Sequence, residues 1–156
     1  MTIFELALLA AALLCALVAG FLFAFAVVVM PGIAKLDDAG FLRAFQVIDG
    51  VIQRGQPLFG LVWMGSVVAV VVAAFWGFWA LAGLDRAIVM LAAAVYLLGV
   101  QIPTFAVNIP LNDRVQRLDI TREEFEPRWN RWNAFRTACA ALASVLFLVL
   151  LVRAPG

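Results

Sequence analysis

The sequence predicts an all-α integral membrane protein, a four-helix bundle with a short amphipathic interfacial helix between its first two spans. Three observations support this. Of the 156 residues, 66% are hydrophobic and only 13% are charged, against ~45–50% and ~25% in soluble domains. Mean hydropathy is +1.06. Four segments reach or approach the ~20 apolar residues with which a helix crosses the hydrocarbon core of a bilayer. Their apolar runs are continuous rather than alternating, which excludes β-barrel strands.

The first span covers 3–30, and Glu5 near its start is its only charge. It lacks a leading basic segment and is too long for the hydrophobic part of a cleavable signal peptide. In the loop over 31–56, Phe41, Leu42, Phe45, Ile48 and Ile52 recur at helical spacing. Arg43, Gln46, Asp49, Gln53 and Arg54 fall mostly elsewhere around the wheel. This pattern suits a short helix lying at the membrane interface. The second span, 57–84, and the third, 87–112, carry no charge. Only a tight turn around Gly83-Leu84-Asp85-Arg86 separates them, so they should form an antiparallel hairpin. The fourth is free of charge only over 137–152, short for a crossing at ~1.5 Å per residue. Its helix is therefore expected to begin near Pro127, a residue suited to a first turn, giving a span of 127–152. The loop over 113–126 contains Thr121 and Glu124 at the spacing of a capping box. Its acid–base neighbours should pair at the surface, where each pair contributes little. Ala16, Gly20 and Ala24 in the first span, and Ala140 and Ser144 in the fourth, form lines of small residues that suit close helix packing. No repeat or second domain is evident, and residues 1–156 read as a single transmembrane domain.

The basic residues set an expected orientation. The first and last loops, with the start of the fourth helix, hold Lys35, Arg43, Arg54, Arg114, Arg117, Arg122, Arg128 and Arg131, while Arg86 and Arg153 lie on the other side. This places the basic loops in the cytoplasm and both termini outside. The 11 basic and 10 acidic residues nearly cancel, which gives no case for nucleic-acid binding. There is no histidine, which removes the commonest metal ligand, the usual haem ligand and the usual general base. Cys15 and Cys139 lie in apolar stretches and read as small buried hydrophobes.

Polar side chains inside a span are costly and point to function. In the third span Gln101, Thr104, Asn108 and Asn112 are three, four and four residues apart, which places them on one helical face. Pro103 and Pro110 should kink the same helix. At the start of the fourth, Trp129, Asn133 and Arg136 form a matching face, with Trp132 beside them. The third helix ends where the fourth begins, so Asn108, Asn112, Asn133 and Arg136 should lie at one depth, with Gln46 of the first loop on the same side. Taken alone, Trp129 reads as an interfacial belt residue, and Asn130 and Arg131 read as solvated. The rival reading of the group is a structural polar knot holding the corner.

Asn108-Ile109-Pro110-Leu111-Asn112, followed by Trp129-Asn130-Arg131-Trp132-Asn133-Ala134-Phe135-Arg136, resembles the pattern of the anthrone oxygenase-like family of small four-helix membrane proteins. Met30-Pro31-Gly32 and Phe45-Gln46 are also similar. The resemblance extends over essentially the whole chain and implies a four-helix bundle in a bacterial inner membrane. It also implies oxygenation chemistry, since fungal members oxidise anthrones to anthraquinones with no known cofactor. Such a substrate needs an apolar aromatic slot, an anion stabiliser and a base. Arg136, Asn108 and Asn133 are the candidate catalytic residues, stabilising a phenolate or enolate oxygen. Asn112, Trp132, Trp129, Gln101, Thr104 and Gln46 are the candidate substrate-binding residues, with Trp132 stacked on the ring. Asp113 and Asp49 are the nearest candidates for a base. No metal and no cofactor is expected.

The expected activity is therefore cofactor-independent oxygenation, or binding, of an apolar aromatic or quinone-like molecule by a protein whose other partner is the bilayer. The alternative is a non-catalytic scaffold or assembly partner with an internally paired polar cluster. A transporter would need a polar lining that the second span lacks, and a haem carrier would need histidine.

Overall fold

The computed structural model describes residues 2–153. Five helices account for the fold, and the described residues contain no strand. The four long helices are α1 (Ile3–Ile33), α3 (Pro57–Ala80), α4 (Gly83–Arg117) and α5 (Arg122–Arg153), each long and apolar enough to cross a bilayer. The amphipathic α2 (Asp38–Gln53) lies between α1 and α3 in the chain.

Local signals start each helix. Thr2 and Glu5 form a capping box at α1. The Asp37 carboxylate accepts from the Gly40 N–H at 2.9 Å ahead of α2. Gln56 caps α3, with Pro57 in the first turn. At α5 the Thr121 hydroxyl accepts from the Glu124 N–H, and the Glu124 carboxylate accepts from the Thr121 N–H, both at 3.3 Å. This pair satisfies donors that every helix start leaves open. α5 thus begins at Arg122 rather than at Pro127, which sits inside the helix. The hairpin turn also differs from expectation. Leu81 and Ala82 break the chain, while Gly83 to Arg86 already belong to the first turn of α4. Extended backbone at Leu81 and Ala82, with φ of +53° at Gly83, reverses the direction.

Three turns are widened to π-helix: Phe25–Val29, Leu97–Gln101 and Thr104–Asn108. Each ends two residues before a proline, namely Pro31, Pro103 and Pro110. Proline offers no N–H and its ring collides with the carbonyl four residues back. A wider turn relieves that collision and shifts the bonding, as where the Met30 N–H reaches the Phe25 carbonyl and the Ile109 N–H reaches that of Thr104. Such bulges recur at functional sites because they turn side chains off the regular helical stripe.

The bundle closes as a ring in which α1 packs on α5 and α3, and α4 packs on α5 and α3. Leu8, Ala12, Cys15, Val18, Val70, Ala73, Val89, Tyr96, Ala140 and Phe147 fill its core. The Ser144 hydroxyl donates to the Ala12 carbonyl at 2.9 Å, and the Ser66 and Tyr96 hydroxyls pair between α3 and α4. Ala140 and Ser144 are buried as expected, but Ala16, Gly20 and Ala24 face outward. The buried stripe of α1 is instead Ala11, Ala12, Cys15, Val18, Ala19 and Leu22. In an alanine-rich helix several faces carry small residues, and packing chose the one that α5 and α3 cover.

A second cluster lies at the loop end. Phe25, Met30, Phe41, Phe45, Leu111, Val115, Phe125 and Trp129 bury one another there. The Arg122 guanidinium holds this corner, donating to the Ala34 and Leu36 carbonyls at 3.0 Å each and sitting 4.5 Å from the Phe41 ring centroid. The apolar face of α2 is therefore buried against the bundle end.

Candidate functional site

Where the two clusters meet, the helices leave a cavity of about 300 Å³. That lies at the small end of the ~300–1,000 Å³ range for small-molecule sites. Its walls are aromatic and aliphatic, including Phe21, Phe25, Phe45, Phe59, Trp63 and Trp129. Its polar lining comes from Asp49 of α2, Thr104, Asn108 and Asn112 of α4, and Asn133 and Arg136 of α5. Five elements of the fold meet at this point, since α1 and α3 supply the remaining walls.

Arg136 is 4% exposed. One terminal nitrogen donates to the Thr104 hydroxyl at 2.9 Å and the other to the Asn133 carbonyl oxygen at 3.0 Å. Its Nε has no partner, and among the described residues no carboxylate lies within 4.0 Å of it. Its guanidinium carbon lies 5.9 Å from the Trp129 ring centroid, within cation–π range. A buried cation normally pairs with an anion, because desolvation costs several kcal/mol. Among the described residues Arg136 has two acceptors, both neutral.

The neighbouring amides are held in place. The Asn133 NH₂ donates to the Leu22 carbonyl at 2.9 Å, one turn ahead of the π-helical stretch in α1. The Asn108 NH₂ reaches the Trp129 carbonyl at 3.4 Å, and its buried Oδ1 is unpaired. Trp129 is buried against Phe25, Phe45 and Phe125, and its indole N–H donates to Asn112 Oδ1 at 2.8 Å. The belt reading of Trp129 is therefore corrected, because α2 covers the ring that would otherwise face the interface.

Asp49 is the main residue that sequence reasoning undervalued. By residue type it groups with the charged and amide residues of an amphipathic helix, yet it is only 3% exposed. Asn112 donates to its Oδ1 at 2.8 Å, and Gln53 and Gln116 donate to its Oδ2 at 3.1 and 2.9 Å. Among the described residues three amide donors and no cation hold this carboxylate at the cavity wall. Its available signal was position, since Asp49 lies four residues from Phe45 and shares its helical side.

Several expected residues serve the site from outside. Gln46 does not line the cavity; it exchanges bonds with Gln116, each side chain donating to the other's backbone carbonyl at 3.1 Å. Gln101 is buried outside it and accepts from the indole N–H of Trp63, a lining residue, at 3.1 Å. Trp132 also stands outside, half-buried with its ring edge-on to Phe135 at 5.8 Å. It lies about 60° around the helix from Trp129, so Trp129 is the tryptophan that faces the cavity. Asn130 is half-buried rather than solvated. Asp113 accepts from Gln53 at 3.2 Å and is not a lining residue.

The arrangement defines a class: an integral membrane four-helix bundle with a polar-walled aromatic cavity under an amphipathic cap. The profile of one protein family, described as anthrone oxygenase, matches residues 50–146. The chain belongs to that family. No curated protein and no solved structure matches it significantly.

Proposed function

We propose that the cavity binds an apolar phenol or ketone in its anionic form, an anthrone-like compound being the model, and presents it to dioxygen. The observation that carries this reading is Arg136, a buried guanidinium without an acidic partner, sharing an aromatic cavity with the buried carboxylate of Asp49. The family assignment supports the same chemistry.

Arg136 anchors the substrate oxygen as negative charge develops there, in a site where water screens little. Asn108 and Asn133 orient that oxygen, and Trp129 with the phenylalanines encloses the rings. Asn112 is a positioning residue, holding both Asp49 and Trp129. Asp49 accepts the proton from the acidic CH₂, leaving an enolate. Dioxygen oxidises that anion, a C–O bond forms, and the proton returns to give a hydroperoxide. Loss of the second C–H and cleavage of the O–O bond release water and leave the ketone. The sum is R₂CH₂ + O₂ → R₂C=O + H₂O. No cofactor enters this scheme. In this reading the cap faces the cytoplasm of a bacterial inner membrane and both termini lie opposite, an orientation that the excess of basic residues in the loops beside the cap supports.

The test uses protein in lipid nanodiscs with anthrone as the probe. Wild type should bind anthrone under argon and form anthraquinone in air. Asp49→Asn should keep binding within about threefold and lose about 10²–10⁴ in turnover, the usual contribution of a general base. Equal turnover in the two proteins removes Asp49 from the reaction. Absence of binding to wild type removes the reading. A structural staple is the second reading, favoured by the bonds that join Arg136, Asn133 and the Leu22 carbonyl.

A further inference from the structure

Of the residues that line the cavity, Met64, Phe105 and Ile109 are the exposed ones, at 59%, 63% and 37%. All three are apolar, and none of the polar lining residues is exposed. Met64 belongs to α3, and Phe105 and Ile109 belong to α4. These helices pack closely near their connecting turn, where a Cβ on Gly77 would meet Val89 at 2.9 Å. Their packing is concentrated in the first part of α4. Beyond it, two π-helical turns and two prolines carry α4 past the cavity. The mouth therefore lies between α3 and the second half of α4. Met64 is seven residues from the start of α3, about 10 Å along the axis, and Phe105 is eight residues from the charge of Asp113, about 12 Å. Those depths fall within the apolar spans.

At the loop end α2 covers the cavity. The apolar face of α2 is buried, and its polar side is tied to the end of α4. Gln46 and Gln116 exchange bonds there, Asp49 accepts from Asn112 and Gln116, and Gln53 donates to Asp113.

We infer that the ligand enters sideways from the hydrocarbon of the bilayer, through a portal between α3 and α4 rimmed by Gly60, Met64, Phe105 and Ile109. The route rests on the ligand reading above; the portal does not. Its chemistry selects a compound that dissolves in lipid in its neutral form and is ionised only after entry, beside Asp49 and Arg136. Dioxygen, itself apolar, has the same route. Gly60 sets the width of the mouth, since a Cβ there meets nothing within 4 Å.

Two measurements test this in nanodiscs. A nitroxide on Gly60→Cys should collide often with dioxygen and rarely with a water-soluble nickel chelate, matching a label on Leu61→Cys, which faces outward. Frequent nickel collisions at residue 60 mean a water-filled mouth and overturn the portal, whatever the ligand does. Stopped-flow binding of anthrone under argon then tests the route. Gly60→Trp should slow association and dissociation together by tenfold or more, with Kd within threefold of wild type, while Leu61→Trp should leave both rates unchanged. Wild-type rates in Gly60→Trp overturn the route. Collisions that match Leu61→Cys, with no anthrone binding to wild type, sink the ligand reading and leave the portal standing.

Discussion

Replacing Arg136 by methionine separates an anion anchor from a structural staple, because the two roles predict different patterns of stability and binding. The substitution removes the two hydrogen bonds to Thr104 and Asn133, each worth about 1.5–3 kcal/mol when one partner is charged. Both acceptors lose their donor, but the Thr104 hydroxyl keeps its bond to the Val100 carbonyl and the Asn133 NH₂ keeps its bond to Leu22, so Asn133 Oδ1 is the atom left without a bond. Against this loss of about 3–6 kcal/mol stands the desolvation of a guanidinium with no acidic partner, several kcal/mol per buried ion. Methionine fills much of the vacated volume and adapts to irregular gaps. The net change in stability should fall within about 2 kcal/mol of zero. Binding of an anion should suffer more. Losing a buried charge contact costs about 2–5 kcal/mol, or about 30- to 4,000-fold in Kd at 1.4 kcal/mol per tenfold. Thermal unfolding in nanodiscs measures the first quantity, and anthrone binding under argon measures the second. A variant with wild-type Kd refutes the anchor. A variant that loses more than about 4 kcal/mol of stability refutes the claim that the cation is held without adequate pairing, and supports the staple.

Two further substitutions probe the surroundings. Trp129→Phe keeps the aromatic packing but removes the bond to Asn112 Oδ1; it should cost about 1 kcal/mol of stability and raise KM more than it lowers kcat, and an unchanged KM would detach Trp129 from the ligand. Gly99→Ala sets a Cβ 2.6 Å from Cys139 Sγ and 2.9 Å from its Cβ. Overpacking of this kind costs about 1–3 kcal/mol; an unaltered unfolding temperature would show that α4 and α5 yield more easily than their contact indicates, and the added substitution Cys139→Ala, which removes Sγ but keeps the Cβ, should recover only part of the loss.

Much of the architecture was legible in composition and periodicity. Continuous apolar runs define membrane helices because a chain in hydrocarbon must satisfy its own backbone. The helical spacing of apolar residues over 41–54 specified α2 for the same kind of reason, as an apolar face that needs cover. Thr121 and Glu124 marked the start of α5, and the more familiar role of proline in a first turn misdirected the reading to Pro127. The stripe of Thr104, Asn108 and Asn112 opposite Asn133 and Arg136 was readable from helical spacing, and these residues do line one cavity.

The remainder depended on tertiary contact. Spacing places a residue on a face but does not say what covers that face. The buried face of α1, the burial of Trp129 beneath α2 and the position of Trp132 outside the cavity were all decided by neighbours distant in sequence. Asp49 shows this most clearly, since a carboxylate on an amphipathic helix ordinarily faces water. Here the end of α4 brings Asn112 and Gln116 against it, and burial becomes affordable because amide donors replace the water that it loses. The sequence alone determined four membrane helices, an amphipathic cap and a set of polar residues too costly to be incidental. Only the packed structure decided which of them meet, because burial and pairing are properties of neighbours and not of residues.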